Sequence, residues 1–353
     1  MAAAAGVKRR ALLIGALLAT LLPLGPVTPA QARSVIDSTG RQVEVPDTIT
    51  RVFAAGPPAN VFLYVLAPDK MIGWGRAPRD EDKPFLLPAA RDLPELGRLT
   101  GRGDTISIER LMASRPDVII DFGVTSDTYR SLADRIQSQT GIPYLLIDGR
   151  FENTAAALRL LSDILGVRER GEALARAAEA SFAEVDRVVA SVPISARPRI
   201  YLARGIDGFE SGSRGSINTE IIERVGAINV VEGVRDTGGI ARVSPEQVIG
   251  WAPDTIITME PAIYRAIMER PEWQVIPAVK QRRVILAPNQ PFGALDLPPS
   301  VNRLIGLKLL LHKLYPDKVS SDLRSDLREF YRLFYQVEIS DADLQRFIDA
   351  LGN

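Results

Sequence analysis

Residues 107–121 read SIERLMASRPDVIID, and residues 244–258 read SPEQVIGWAPDTIIT. Six of the fifteen positions agree: Ser107 with Ser244, Glu109 with Glu246, Pro116 with Pro253, Asp117 with Asp254, Ile119 with Ile256 and Ile120 with Ile257. Both copies read alike. A serine in N-cap position opens a short amphipathic helix, Pro-Asp makes a turn, and an apolar run begins a buried strand. One helix–turn–strand unit therefore occurs twice, 137 residues apart. This predicts two similar α/β lobes, each carrying one copy.

The flanking sequence fits that division. In the first lobe, 33–166, strand-like runs at 52–55, 71–74, 118–122 and 144–147 each end in loop-forming residues. Gly56-Pro57-Pro58-Ala59-Asn60 follows the first, Gly75-Arg76 follows Trp74, Gly123-Val124-Thr125-Ser126 follows the third, and Asp148-Gly149-Arg150 follows the fourth. Helical stretches at 60–66, 107–114 and 126–139 separate them. Such alternation implies a mostly parallel sheet with helices on its faces, and ligands bind such sheets beyond the carboxyl ends of the strands. Asn153 or Thr154 then caps a helix that Gly166 stops. Residues 167–192 read as one long helix, with Leu174, Ala178, Phe182, Val185 and Val189 at helical spacing. The second lobe, 193–353, has strands at 199–203, 255–258 and 283–287. Helices are expected at 218–225 and 299–315, with a short helical segment at Trp273 and two amphipathic helices at 321–335 and 340–351.

Composition narrows the function. Lys plus Arg equals Asp plus Glu at 43 each, so a large nucleic-acid footprint, which needs a basic excess, is not expected. The chain has no Cys and a single His, His312. Thiolate metal sites and Cys nucleophiles are excluded, and a Ser–His–acid triad has no good base, because His312 lies in an apolar helical run. No phosphate-binding G-x-x-x-x-G-K-[ST] occurs and no G-x-S-x-G elbow is present. At the amino end, Lys8, Arg9 and Arg10 precede an apolar run, and Ala30-Gln31-Ala32 offers a small-x-small cleavage site. Residues 1–32 are thus expected to be a signal peptide, the run being too short to span a bilayer. No Cys follows it, so the expected product is a periplasmic protein without a lipid anchor.

The residues carry a family resemblance over essentially the whole mature chain. The duplicated unit, the joining helix and the stretches PFGALDLPPSVNRLIGLKLLLHKLYPD and LREFYRLFYQVEISDADL resemble periplasmic substrate-binding proteins of the iron-chelate and cobalamin class of ABC importers. The resemblance implies two Rossmann-like lobes joined by a single long helix, the class III periplasmic binding fold. It also implies a ligand in the interlobe cleft, little hinge motion, no enzymatic activity and no cofactor. The implied partner is a permease dimer in the inner membrane, approached by a monomer. In this family one carboxylate per lobe docks on permease arginines, which maps to Glu109 and Glu246.

The cleft-facing loops suggest the ligand's chemistry. Gly56, Pro57, Pro58, Asn60, Val124, Thr125 and Asn218 fall at expected strand ends or loops. Arg76, Arg150, Arg204, Arg214 and Arg242 fall in or beside those loops too, and arginine binds carboxylates and oxyanions in a planar, bidentate way. Trp74, Tyr201 and Phe292 are candidates for flat walls against a bulky chelate. Together these residues point to an anionic ligand: an iron siderophore, another metal chelate such as a nickel complex, a corrinoid, or a bare oxyanion such as molybdate or tungstate. No side chain is expected to ligate a metal directly.

Overall fold

The computed structural model describes residues 32–101, 103–234 and 239–351. The expected leader lies outside the described residues, except for Ala32, which opens the first strand. That strand, β1 (Ala32–Ile36), forms an antiparallel hairpin with β2 (Gln42–Pro46). Val43 and Val45 turn inward while Gln42 and Glu44 face out, and Gly40 supplies the left-handed turn residue. The hairpin was not expected from the sequence.

Two separate parallel sheets follow. β3 (Val52–Ala54), β4 (Val118–Gly123) and β5 (Tyr144–Asp148) form the first, in the order β3-β4-β5. β6 (Arg199–Leu202), β8 (Ile228–Asn229), β10 (Thr255–Thr258) and β11 (Val284–Leu286) form the second, in the order β11-β10-β6-β8. The short strands β7 (Glu210–Ser211) and β9 (Ala241–Arg242) pair antiparallel beside it. β4 and β10 are interior strands covered on both faces, so their residues are apolar without alternation. The expected strand at 71–74 is reduced to single bridges at Met71 and Trp74. Gly73 there backs onto the Pro94 carbonyl and the Leu96 side chain, and the chain pairs only at its two ends.

The repeated unit is reproduced in atomic detail. Ser107 and Ser244 each accept a hydrogen bond from the third residue of the helix they cap, at 3.3 and 3.2 Å. The helices Ile108–Ala113 and Pro245–Trp251 then end before Arg115 and Ala252, both in the left-handed region at φ 47° and 45°. The two aspartates that follow accept from the backbone that opens the neighbouring strand. Asp117 takes the N–H of Arg51 at 2.8 Å, and Asp254 takes that of Arg199 at 3.0 Å. Those two arginines reach back to carbonyls at the helix ends, Arg51 to Ser114 at 2.7 Å and Arg199 to Trp251 at 2.9 Å. The duplication thus extends to the strand that each unit leans on.

The connecting helix, Arg168–Ala190, is about 34 Å long at 1.5 Å per residue. Near its start Arg170 donates to the Val65 carbonyl at 2.8 Å, in the first half. Toward its end Glu184 pairs with Lys308, and Arg224 donates to Asp186 at 2.6 Å, both contacts to the second half. The last helices, Leu323–Phe330 with its π-helical continuation Tyr331–Tyr335 and then Asp341–Ala350, fold back over the first half. There Tyr64 donates to the Tyr335 carbonyl at 2.7 Å, and the Phe85 ring meets Tyr331 edge-on and Phe347 at a tilt.

Arg303, at the start of the helix Arg303–Leu314, is wholly buried. Its guanidinium donates to the Gly149 carbonyl of the first half at 2.9 Å. It also donates to the Ile217 carbonyl at 2.9 Å and to Glu220 at 3.1 Å, both in the second half. It lies 4.4 Å from the Phe151 ring centre. Burial lowers its pKa, opposed by Glu220 and Asp296. Removing one partner of such a pair leaves a buried charge and carbonyls unmet, at a cost of about 3–5 kcal/mol. Arg303→Met should therefore lose about that much stability in urea unfolding, with most of the loss recovered by Arg303→Lys only if a single point charge suffices; an unchanged midpoint for the Met variant would show the clamp to be idle.

Candidate ligand-binding cleft

A cavity of about 420 Å³ opens at the carboxyl ends of both sheets. The first half contributes Pro57, Asn60, Trp74 and Arg76; the second contributes Glu260 and Phe292. The volume lies at the lower end of the range for small-molecule sites, roughly 300–1,000 Å³. A larger cavity of about 830 Å³ sits at the opposite ends of the second sheet, beside Thr255, Arg283 and Val284. Those are the amino ends of the strands, where α/β sheets do not hold ligands, so size does not decide between the two.

The helix Pro57–Leu66 brings the first wall into place. Its N-cap Gly56 needs its missing side chain, since a Cβ there would meet the Thr100 hydroxyl at 2.4 Å. Pro57 supplies the fixed φ of a first helical turn. Asn60, 5% exposed, accepts the Gly75 N–H at 2.8 Å through its Oδ1, and its Nδ2 has no acceptor among the described residues. Trp74, 3% exposed, donates its indole N–H to the Ala90 carbonyl at 2.8 Å, and its ring centre lies 6.2 Å from that of Phe292, the two planes tilted by 43°. Arg76 is exposed and makes no hydrogen bond or ion pair among the described residues. Its neighbour Arg79, by contrast, is held by Asp82 at 2.8 Å and Glu81 at 2.6 Å. Glu260 faces the same space, and burial raises its pKa against the pull of Arg204.

Pro57, Asn60, Trp74, Arg76 and Phe292 thus line one cavity, while the other expected contacts lie elsewhere. Pro58 sends its carbonyl to the Ser300 hydroxyl, 2.9 Å away. Tyr201 is fully buried and donates to the Gly208 carbonyl at 2.9 Å, its ring beside Trp273. Arg204 is buried with its Nε 3.0 Å from Asp296. Asn218 turns back on Ser216 at 3.3 Å. Arg242 is engaged by Asp207, Arg150 by Asp148 and Arg214 by Glu232. Val124 and Thr125 follow β4 but do not line the cavity. His312 contacts Ser321 and Asp326, and no cluster of metal-ligating side chains is found among the described residues. Asp82 and Glu260 were missed by the sequence reading. Glu260 had a usable signal, since it lies two residues past the end of strand β10.

The two halves with a cleft at their strand ends define a class of protein. The chain belongs to the periplasmic binding protein family, whose description matches residues 65–291. It is a substrate-binding component of an ABC transporter and not an enzyme. It is similar to an ABC transporter solute binding protein from Sulfurospirillum deleyianum, at 29% identity over 89% of this chain and 98% of that one, with a TM-score of 0.81. It shares its fold with the molybdate periplasmic binding protein MolA of Haemophilus influenzae in its molybdate-bound form, at 22% identity over 87% of this chain and 99% of that one, with a TM-score of 0.72. By sequence it is 19% identical over 238 residues to the uncharacterized ABC transporter substrate-binding lipoprotein YvrC of Bacillus subtilis, covering 63% of this chain and 70% of YvrC. No helix among the described residues is long and apolar enough to cross a membrane.

Beneath Gly56 lies an unused acid. Asp121 on β4 is buried, with Thr100 and Tyr144 hydroxyls each 3.2 Å from its carboxylate. Burial pushes its pKa up to about 6, against the smaller effect of those two hydroxyls. The folded state therefore keeps this proton between pH 3.8 and about 6 while the unfolded chain releases it. The contribution of this group to stability is fully present below that window and falls as pH rises through it, by about 3 kcal/mol at ~1.36 kcal/mol per pH unit. Denaturant melts at a series of pH values should show this fall, and Asp121→Asn, which keeps the shape without the charge, should remove it.

Proposed function

We propose that the protein captures an iron siderophore or similar metal chelate in this cleft and delivers it, as a periplasmic monomer, to the permease dimer of an ABC importer. The observation that carries the reading is the pairing of an orphan donor with an uncommitted cation on one apolar wall. Asn60 lines the cavity and its Nδ2 is buried without an acceptor among the described residues, a cost of about 1–3 kcal/mol that a ligand oxygen able to reach it would relieve. Arg76 adds an unpaired charge beside the same cavity. Around them Pro57, Trp74 and Phe292 offer flat apolar surface suited to the organic shell of a chelate. Glu260 opposes a strongly negative ligand, which favours a chelate whose metal offsets its own anionic groups. The same two donors also suit a bare oxyanion, and MolA, of the same fold, binds molybdate; molybdate or tungstate is therefore the second reading, with nickel chelates and corrinoids as further ligands of this fold class.

Fluorescence titration of the purified protein separates these readings, because Trp74 lines the cavity. Ferric catecholate and ferric citrate complexes, nickel–histidine, cobalamin and molybdate serve as probes. A ferric chelate should quench saturably, and Arg76→Ala should weaken it about tenfold, or ~1.4 kcal/mol. Arg214→Ala, whose charge is taken by Glu232, should change nothing. Saturable binding of molybdate alone would transfer the site to the second reading, and binding indifferent to Arg76 would remove it from this cleft.

Glu109 and Glu246 serve in this reading as the permease contacts. Both are exposed at matched positions on the repeated helices. Glu109 is held below the usual carboxylate range by its own backbone N–H and the Ser107 hydroxyl, Glu246 by the Ser244 hydroxyl and its own N–H. Both are therefore ionised at neutral pH. Exposed ion pairs contribute little affinity each but set orientation and encounter rate. Glu109→Ala combined with Glu246→Ala should abolish ligand uptake by whole cells while leaving ligand affinity unchanged; uptake at the wild-type rate would end the docking assignment.

A further inference from the structure

The repeated helices share a second surface feature. Met112 is 49% exposed and Ile249 is 39% exposed, among only eight large apolar side chains that the described residues leave in solvent. The two occupy the same position of the repeat, sixth from its serine, although the residues differ. Each lies three residues beyond its glutamate, and positions i and i+3 of a helix share a face with Cβ atoms about 5–6 Å apart. Their neighbours Leu111 and Val248 are completely buried, so the core-facing side of each helix is already satisfied. Met112 and Ile249 are not overflow from the core. Each half of the molecule therefore presents the same pair, one carboxylate and one apolar side chain, on an otherwise polar turn. A pattern repeated once per half fits a partner that is itself two-fold repeated.

Resting on the docking reading above, we propose that Met112 and Ile249 each insert into an apolar recess beside the cationic residues of one permease subunit, so that each half engages by a charge and an apolar anchor together. The carboxylates steer the approach, being long-range and salt-screened. The apolar anchors hold the docked complex, because burying a side chain of this size is insensitive to screening. The two contributions are thus separable by salt.

The test measures binding of the full chain to its permease in lipid nanodiscs at low and high salt. Met112→Ser with Ile249→Ser should weaken docking by tenfold or more, by the same factor at both salt concentrations, with ligand affinity and circular dichroism unchanged. Glu109→Gln with Glu246→Gln should weaken docking chiefly at low salt. If the serine pair docks like the wild type while the glutamine pair does not, the anchor inference falls and the carboxylate docking stands. If both pairs dock like the wild type, the docking reading falls with it. Concentration-dependent self-association of the wild type that the serine pair abolishes would identify a second copy as the occupant and overturn the permease assignment.

Discussion

A single buried guanidinium ties the two halves together. Arg303 has no access to solvent, so its charge persists only because acceptors from both halves converge on it: Gly149 on one side, Ile217 and Glu220 on the other. Glu220 repeats the bridge in reverse by accepting the Phe151 N–H at 2.8 Å. In so dry a setting each of these bonds is electrostatically strong, and each would be costly to leave unmade. The geometry of the cavity above follows, since the wall carrying Asn60 and Arg76 and the wall carrying Phe292 and Glu260 are registered through this contact. Ser300 and Gln290 add hydrogen bonds to Pro58 and Glu81 across the same boundary, at 2.9 and 3.0 Å.

Duplication explains why the site is a cleft. Each half builds its own sheet, and each sheet places its strand ends toward the other. The repeated unit does not itself touch the cavity. It sets β4 and β10 at the centre of their sheets and leaves its exposed helical face outside, away from the cavity. This separation lets the cavity be specialised for one solute without disturbing the outer surface.

Much of this was legible. Paired serines, the Pro-Asp turns and the apolar runs located both central strands, and the joining helix was visible from its spacing. The candidate wall was half legible. Pro57, Asn60, Trp74, Arg76 and Phe292 line the cavity, and each follows an expected strand end or lies in the loop that does. Arg204 and Arg242 were expected in the cleft on the same logic, yet their charges are taken by Asp296 and Asp207, partners 92 and 35 residues away that no local pattern announces. Tyr201, an aromatic candidate for a cleft wall, instead lies within β6, whose pleat turns it into the core beside Trp273. The first hairpin did carry a signal, an alternating QVEV after Thr39-Gly40, which was overlooked.

The connecting helix has a consequence for how cargo is signalled. Gly171 lies so close to Ser162 that an added Cβ would sit 2.0 Å from its hydroxyl, which fixes the helix against the first half. Glu184 and Asp186 fix it to the second. A rod anchored at both ends opposes a wide jaw-like closure and so favours a nearly constant spacing between the outer faces of the two halves. A transporter reading that spacing would meet unloaded and loaded receptors on almost equal terms. Scarce cargo would then compete with empty carriers for the same doorway, and the ratio of receptor to transporter would become a determinant of uptake in its own right.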